Sequence, residues 1–301
     1  MRKTIAIGLT LFIGITGAGL ISAAETHPAP LDTAAIEQLT GLKGAYNERE
    51  KVFKVSAPRS DLKLTIAGVK MVPALGLTSW AAFTPAENGV MVMGDTVVLE
   101  SQVGPVMTTA LENGLEVTAL HNHFFYDSPK VMFMHIGGHG DQNKLARAVG
   151  AVFSKIKETS TANVARPTAN IDPAQTTLDP KKIEAIVGSK GDLKDGVYKI
   201  TLGRTSHMQG HEVGNAMGVN TWAAFAGSDT QAVVDGDFVV LESELRPVLL
   251  ALRRADIEVV AIHNHMTHDE PRMVFLHYWG IGPTNKLAGG LKAALRQTKT
   301  L

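Results

Sequence analysis

Thr221-Trp222-Ala223-Ala224-Phe225, followed by Val239-Val240-Leu241-Glu242-Ser243 and His263-Asn264-His265, decides how this chain is read, because each stretch has occurred before. Ser79-Trp80-Ala81-Ala82-Phe83, Val97-Val98-Leu99-Glu100-Ser101 and His121-Asn122-His123 stand 142 residues earlier, and His277 repeats His135 at the same spacing. Self-similarity at a fixed period marks a duplicated unit, and what both copies kept belongs to the unit's architecture or its site. Both kept three histidines and a glutamate.

Working back from these stretches, Leu31-Asp32, Ile36-Glu37 and Lys43-Gly44 return as Leu178-Asp179, Ile183-Glu184 and Lys190-Gly191, at an offset of 147. The first unit therefore carries a few extra residues before Trp80, around Leu62 to Val69. We place the first unit at residues 31–158, a linker at 159–177 and the second unit at 178–301. The linker is rich in Thr, Ala, Asn, Asp and Pro and has no hydrophobic periodicity, as a connection should.

Within the second unit, Asp179 and Pro180 predict a helix start and Gly188 its end. Strands are predicted at Val197 to Leu202, at Thr221 to Phe225 and at Ala232 to Leu241, the last broken at Asp235-Gly236-Asp237. Leu245, Val248, Leu249 and Leu252 have helical spacing, with arginines on the other side. Two strands, Glu258 to Met266 and Arg272 to Trp279, and a helix from about Thr284 to Gln297 complete the unit. This order predicts an α+β fold: two tandem repeats, each a largely antiparallel sheet with helices packed on one face. Whether the repeats meet sheet to sheet or helix to helix is left open. Trp80 and Trp222, within apolar runs, are expected in the core, and Arg59 and Arg204 in matching salt bridges.

Arg2 and Lys3 precede an uncharged apolar stretch from Thr4 to Ser22, and Ser22 and Ala24 suit a cleavage site. Residues 1–24 thus read as a secretory signal peptide, and the mature chain is expected to be periplasmic or secreted, with no membrane span after cleavage. The chain has no cysteine, so disulfides, thiolate metal sites and a lipid on a signal-peptide cysteine are excluded. Twenty-nine basic residues balance 29 acidic ones. Loss of the signal peptide leaves the chain slightly acidic, which gives no electrostatic case for nucleic acid or anionic lipid as a partner.

Alternate residues of a strand share a face, so His263 and His265 point one way. If the connecting loop centres near Glu270, His277 lies opposite His263 across the hairpin. His121, His123 and His135 form the same set in the first unit. Glu242 and Glu100, where a strand meets a helix, could bring a carboxylate over each hairpin or serve at the helix start. Three imidazoles and a carboxylate suit Zn²⁺, Mn²⁺, Fe²⁺ or Cu²⁺, and an open position could activate water. The same histidines could instead line a metal-free cleft for a small polar ligand, or be structural. The second unit adds His207, His211 and His268, and the first adds His139. Asp127 and Asp269 read as turn residues. No G-x-S-x-G, Gly-rich phosphate loop or H-E-x-x-H is present.

Arg59-Ser60-Asp61, the Trp-Ala-Ala-Phe segments, Val-Val-Leu-Glu-Ser, His-Asn-His and the later histidine together resemble the LppY/LpqO family of exported bacterial proteins, over almost all of the mature chain. The resemblance implies export and a duplicated architecture, and no established activity. Mycobacterial members are lipoproteins with a cysteine at the signal-peptide junction, which this chain lacks. Two function classes follow: a metal-binding protein with a hydrolytic or lyase role, and a non-enzymatic binding protein for a small polar ligand or envelope component. A third is a structural envelope protein whose histidines satisfy one another.

Overall fold

The computed structural model describes residues 29–160 and 167–299; the expected signal peptide and part of the expected linker lie outside the described residues. The first unit runs α1 (Thr33–Thr40), β1 (Gly44–Asn47), β2 (Val52–Pro58), β3 (Thr65–Ile66), β4 (Val69–Lys70), β5 (Thr78–Ala86), β6 (Gly89–Leu99), α2 (Val103–Glu112), β7 (Glu116–His121), β8 (Asp127–Ser128), β9 (Val131–Gly140) and α3 (Gln142–Thr159). The second repeats the order: α4 (Pro180–Val187), β10 (Asp192–Lys194), β11 (Val197–Gly203), β12 (Ser206–Met208), β13 (His211–Val213), β14 (Asn220–Gly227), β15 (Ala232–Leu241), α5 (Glu242–Arg254), β16 (Glu258–His263), β17 (Asp269–Glu270), β18 (Met273–Gly282) and α6 (Thr284–Leu295). This is the expected α+β fold.

The units join edge to edge. One 12-stranded sheet has the order β1-β2-β5-β6-β9-β7-β16-β18-β15-β14-β11-β10, which reads as the same unit forwards and then backwards about the β7/β16 junction. Leu120 pairs with Ile262 there, antiparallel. The helices cover one face, and α2 packs on α5 across the junction. Gly104 permits this approach, since a Cβ there would meet Arg253 Nη2 at 2.6 Å. The arginines of α5 are not simply solvated: Arg246 donates to the Leu111 and Leu115 carbonyls of the first unit at 2.7 and 3.3 Å.

Local signals act as their chemistry dictates. Asp179 accepts from the Lys181 N–H at 3.0 Å and Gly188 ends α4 at φ 82°. Asp127 and Asp269 are turn acceptors, for the Val131 and Met273 N–H groups. The expected break in the 232–241 strand is absent. β15 is paired on both sides through Asp235, Gly236 and Asp237, and a Cβ at Gly236 would stand 2.2 Å from the Tyr278 ring. The glycine makes room for an aromatic rather than ending the strand. Trp80 and Trp222 are likewise not core: both are half-buried on the face away from the helices, with Lys54 and Lys199 over their rings at 4.2 and 4.1 Å.

That face carries two small apolar clusters, one in each unit, of which Phe133 and Phe275 are members. Beside them the buried guanidiniums of Arg59 and Arg204 hold the strand that turns toward the helix. Val97 N–H donates to Ser79 Oγ and Val239 N–H to Thr221 Oγ1, at 2.8 and 3.1 Å. Arg59 and Arg204 donate to the carbonyls of those same valines. Arg204 then pairs with buried Glu244, at 2.6 Å, which also accepts from the Leu241 and Lys299 N–H groups. Burial raises the Glu244 carboxyl, but these hydrogen bonds outweigh it and leave it below the usual carboxylate range. Removing one partner of a buried ion pair strands the other, at about 3–5 kcal/mol. Glu244→Ala should therefore lower the urea midpoint by that order of stability, and an unchanged midpoint would show that Arg204 finds another partner.

Candidate metal centre

Strand β18 runs between β15 and β16, so its residues decide what the hairpin histidines meet. His277 pairs with Asp237 on one side and with Ala261 on the other. His263 pairs with Phe275, not with His277, so the expected direct opposition is displaced by one same-face step. The two imidazoles still stack, with ring centroids 4.8 Å apart. His265 lies just beyond β16 and stacks on Phe275 at 3.5 Å, which fixes its ring plane.

The carboxylate among these histidines is Asp237, from the segment expected to break the 232–241 strand. Its Oδ2 lies 3.4 Å from His265 Nε2 and its Oδ1 4.0 Å from His277 Nδ1. One ligand atom each from Asp237, His263 and His265 lie within 4.8 Å of one another, close enough for one ion. Glu242 is elsewhere: it opens α5, is exposed and pairs with Arg272 at 3.2 Å. Glu100 is exposed at the matching helical turn.

Electrostatics mark the site. Asp237 is only 4 % exposed, and its Oδ1 and the His263 Nδ1 have no hydrogen-bond partner among the described residues. Buried polar atoms are satisfied in the great majority of cases, so two such atoms in one cluster ask for a ligand. Burial pushes the Asp237 carboxyl up to about 6, against the pull of His277. Burial also lowers His263, with His277 and His265 adding to the effect. His265 is lowered by burial too, opposed by its hydrogen bond to the Gly218 backbone. Imidazoles held neutral are ready to donate a lone pair.

The first unit places its residues in the same strand register but gathers them less closely: among the described residues, no imidazole there lies within 4.0 Å of the aspartate, and the compact group of ligand atoms is the second unit's. Asp95 pairs with His135, is 8 % exposed and has an unpartnered Oδ1. His121 stacks on His135 with centroids 5.2 Å apart, and His123 stacks on Phe133 at 3.4 Å. His123 is lowered by burial, with Asp95 opposing. The remaining histidines are not gathered in. His139 bonds the Glu87 carbonyl at 2.9 Å, and His207, His211 and His268 are exposed on or beside the small sheet β13-β12-β17. Gly94-Asp95 and Gly236-Asp237 obey the same spacing of 142, so the missed carboxylates did carry a signal.

A family profile described as Domain of Unknown Function (DUF1259) matches residues 34–155 and 181–297. The chain belongs to that family. The two matched regions are the two structural repeats, so the family's domain is the unit and this chain carries it in tandem. Searches of the curated proteins and of the solved structures find no match.

An acid whose folded pKa is raised costs stability above that pKa, and the cost disappears as pH falls toward the unfolded value near 4. Asp237→Asn should therefore make the metal-free protein more stable at pH 7.5, by about 1–3 kcal/mol. The gain should shrink as pH falls through about 6. Thermal melts of both proteins from pH 4 to 8 measure it; a loss of stability at pH 7.5 would mean that the carboxylate is satisfied.

Proposed function

We propose that this protein binds a divalent transition-metal ion in its second unit through Asp237, His263 and His265, with His277 beside them. One observation carries the reading: two buried donor atoms, on Asp237 and His263, lack partners among the described residues and belong to a group compact enough for one ion. Two imidazoles and a carboxylate suit Zn²⁺ with an open position, and also Fe²⁺, Mn²⁺ or Cu²⁺. His265 has its Nδ1 beside Gly218, whose backbone favours the protonated ring, so the Nε2 side faces Asp237. His277 is half-exposed and next to Asp237. It stands where it could complete the ligand set or exchange a proton with a bound molecule, and a metal held there would supply Lewis acidity, which is the basis for a hydrolytic or lyase role. We further read the chain as an LppY/LpqO-like exported protein, periplasmic or secreted, from the motifs above and the N-terminal signal pattern.

A second reading, non-enzymatic binding of a small polar ligand or envelope component, draws on one feature. His135 lines a shallow surface pocket of about 270 Å³ together with Met91, Met93, Glu116, Thr118 and His139.

Metal analysis of the purified protein after loading with Zn²⁺, Mn²⁺, Fe²⁺ or Cu²⁺ and dialysis separates these readings. Bound metal that Asp237→Ala or His263→Ala/His265→Ala removes supports the centre. Protein that stays metal-free under all four ions overturns it. Because ligands must be deprotonated, retention should fall as pH drops below about 6, where Asp237 takes up its proton.

A further inference from the structure

The β7/β16 junction brings the two histidine sets onto one face of one sheet. In an antiparallel pair, directly opposed residues share a face, and the faces alternate along the strand. Leu120 and Ile262 are paired and both buried beneath the helices. One step to either side, on the open face, His121 therefore stands beside Ala261, and His263 beside Ala119. Ala261 is itself paired with His277, and Ala119 with His135. Two rows result across four adjacent strands: Phe133, His121, Ala261, His277 and His135, Ala119, His263, Phe275. Each unit's histidine thus reaches toward the other unit's histidine across a single small side chain. Asp95 and Asp237 close the outer ends, next to His135 and His277.

We propose that the first unit holds a second metal ion, through Asp95, His123, His121 and His135, and that both ions open onto the same face, separated only by the alanine-floored strip between β7 and β16. The proposal rests on the second-unit centre for its ligand chemistry, but its own evidence is in the first unit. Asp95 is more than nine-tenths buried and has an unpartnered oxygen within the histidine set. The histidine beyond the strand is again fixed on a phenylalanine, and the first and third histidines are again stacked. The three imidazoles and one carboxylate are the donor types of the second unit, on matching residues. The first-unit donors are less closely gathered, since among the described residues Asp237, His263 and His265 of the second unit are the group whose ligand atoms lie within 4.8 Å of one another, so the first-unit site is the weaker. From β9 to β18 there are three strand spacings, which sets the ions about 14 Å apart. Two ions at that distance on one face suit a single polyanionic or multi-oxygen ligand that binds both, with Ala119 and Ala261 leaving its middle unobstructed.

The test uses the whole protein stripped of metal, titrated with Cu²⁺ and followed by metal counting and electron paramagnetic resonance. The expected result is two equivalents in the parent protein, one in Asp95→Ala, one in Asp237→Ala and none in the double variant. Dipolar broadening should appear only when both sites are filled. One equivalent in the parent, kept by Asp95→Ala and lost by Asp237→Ala, overturns the first-unit site and leaves the second-unit centre standing. No bound Cu²⁺ in any form overturns both. Two equivalents without broadening overturn the shared face. If Asp95→Ala does not fold, His123→Ala, at an exposed position, takes its place with the same expected loss of one equivalent.

Discussion

Two sheet edges that neither unit can leave bare govern this molecule. β7 and β16 carry Val117, Leu120, Val259 and Ile262 into the helix-side core, and an unpaired strand with such residues invites association. Each copy covers the other's edge through Leu120 and Ile262, and the helix layer follows because α2 and α5 lie over the same seam. Arg246 ties them by donating to carbonyls near the end of α2, where a cation also meets the negative helix terminus. The open face inherits this geometry, since strands that meet edge to edge must present their alternate residues together.

The open face is also where stability is given up. Asp95 and Asp237 are buried without full hydrogen bonding, and His263 and His265 resist protonation. A buried polar group without a partner opposes folding, which a metal would reverse by supplying the missing partner. Close by, the protein spends hydrogen bonds freely. Ser79 or Thr221 and Arg59 or Arg204 satisfy the valine two residues beyond each aspartate, so the backbone that carries the carboxylate is rigid.

The copies solve one electrostatic problem in two ways. Arg204 finds its counter-charge on the helix, at Glu244. Arg59 faces Gln102 at that place and takes its counter-charge from Asp61, two residues along its own chain. A buried guanidinium needs one carboxylate, and the duplication has moved it without losing it. The histidine–aspartate sets show no such relocation: the aspartate and the two strand histidines occupy the same register in both units, and His123 and His265 stand two residues past matching strand ends.

The sequence by itself determined the duplication, the α+β order, the helix caps at Asp179 and Gly188 and the grouping of His263, His265 and His277, because period, capping chemistry and strand alternation act locally. It misplaced Trp222, whose apolar neighbours hid a half-buried position under Lys199, and it read Gly236 as a break because only the Tyr278 ring on the neighbouring strand explains that glycine. The choice of Asp237 over Glu242 was likewise beyond it. A carboxylate joins these histidines according to which strand lies beside β18, and that pairing links residues some 40 positions apart. The tertiary structure alone decided that the two units share a sheet, since edge pairing leaves no periodic mark on either strand, and so it alone put both histidine sets on one face.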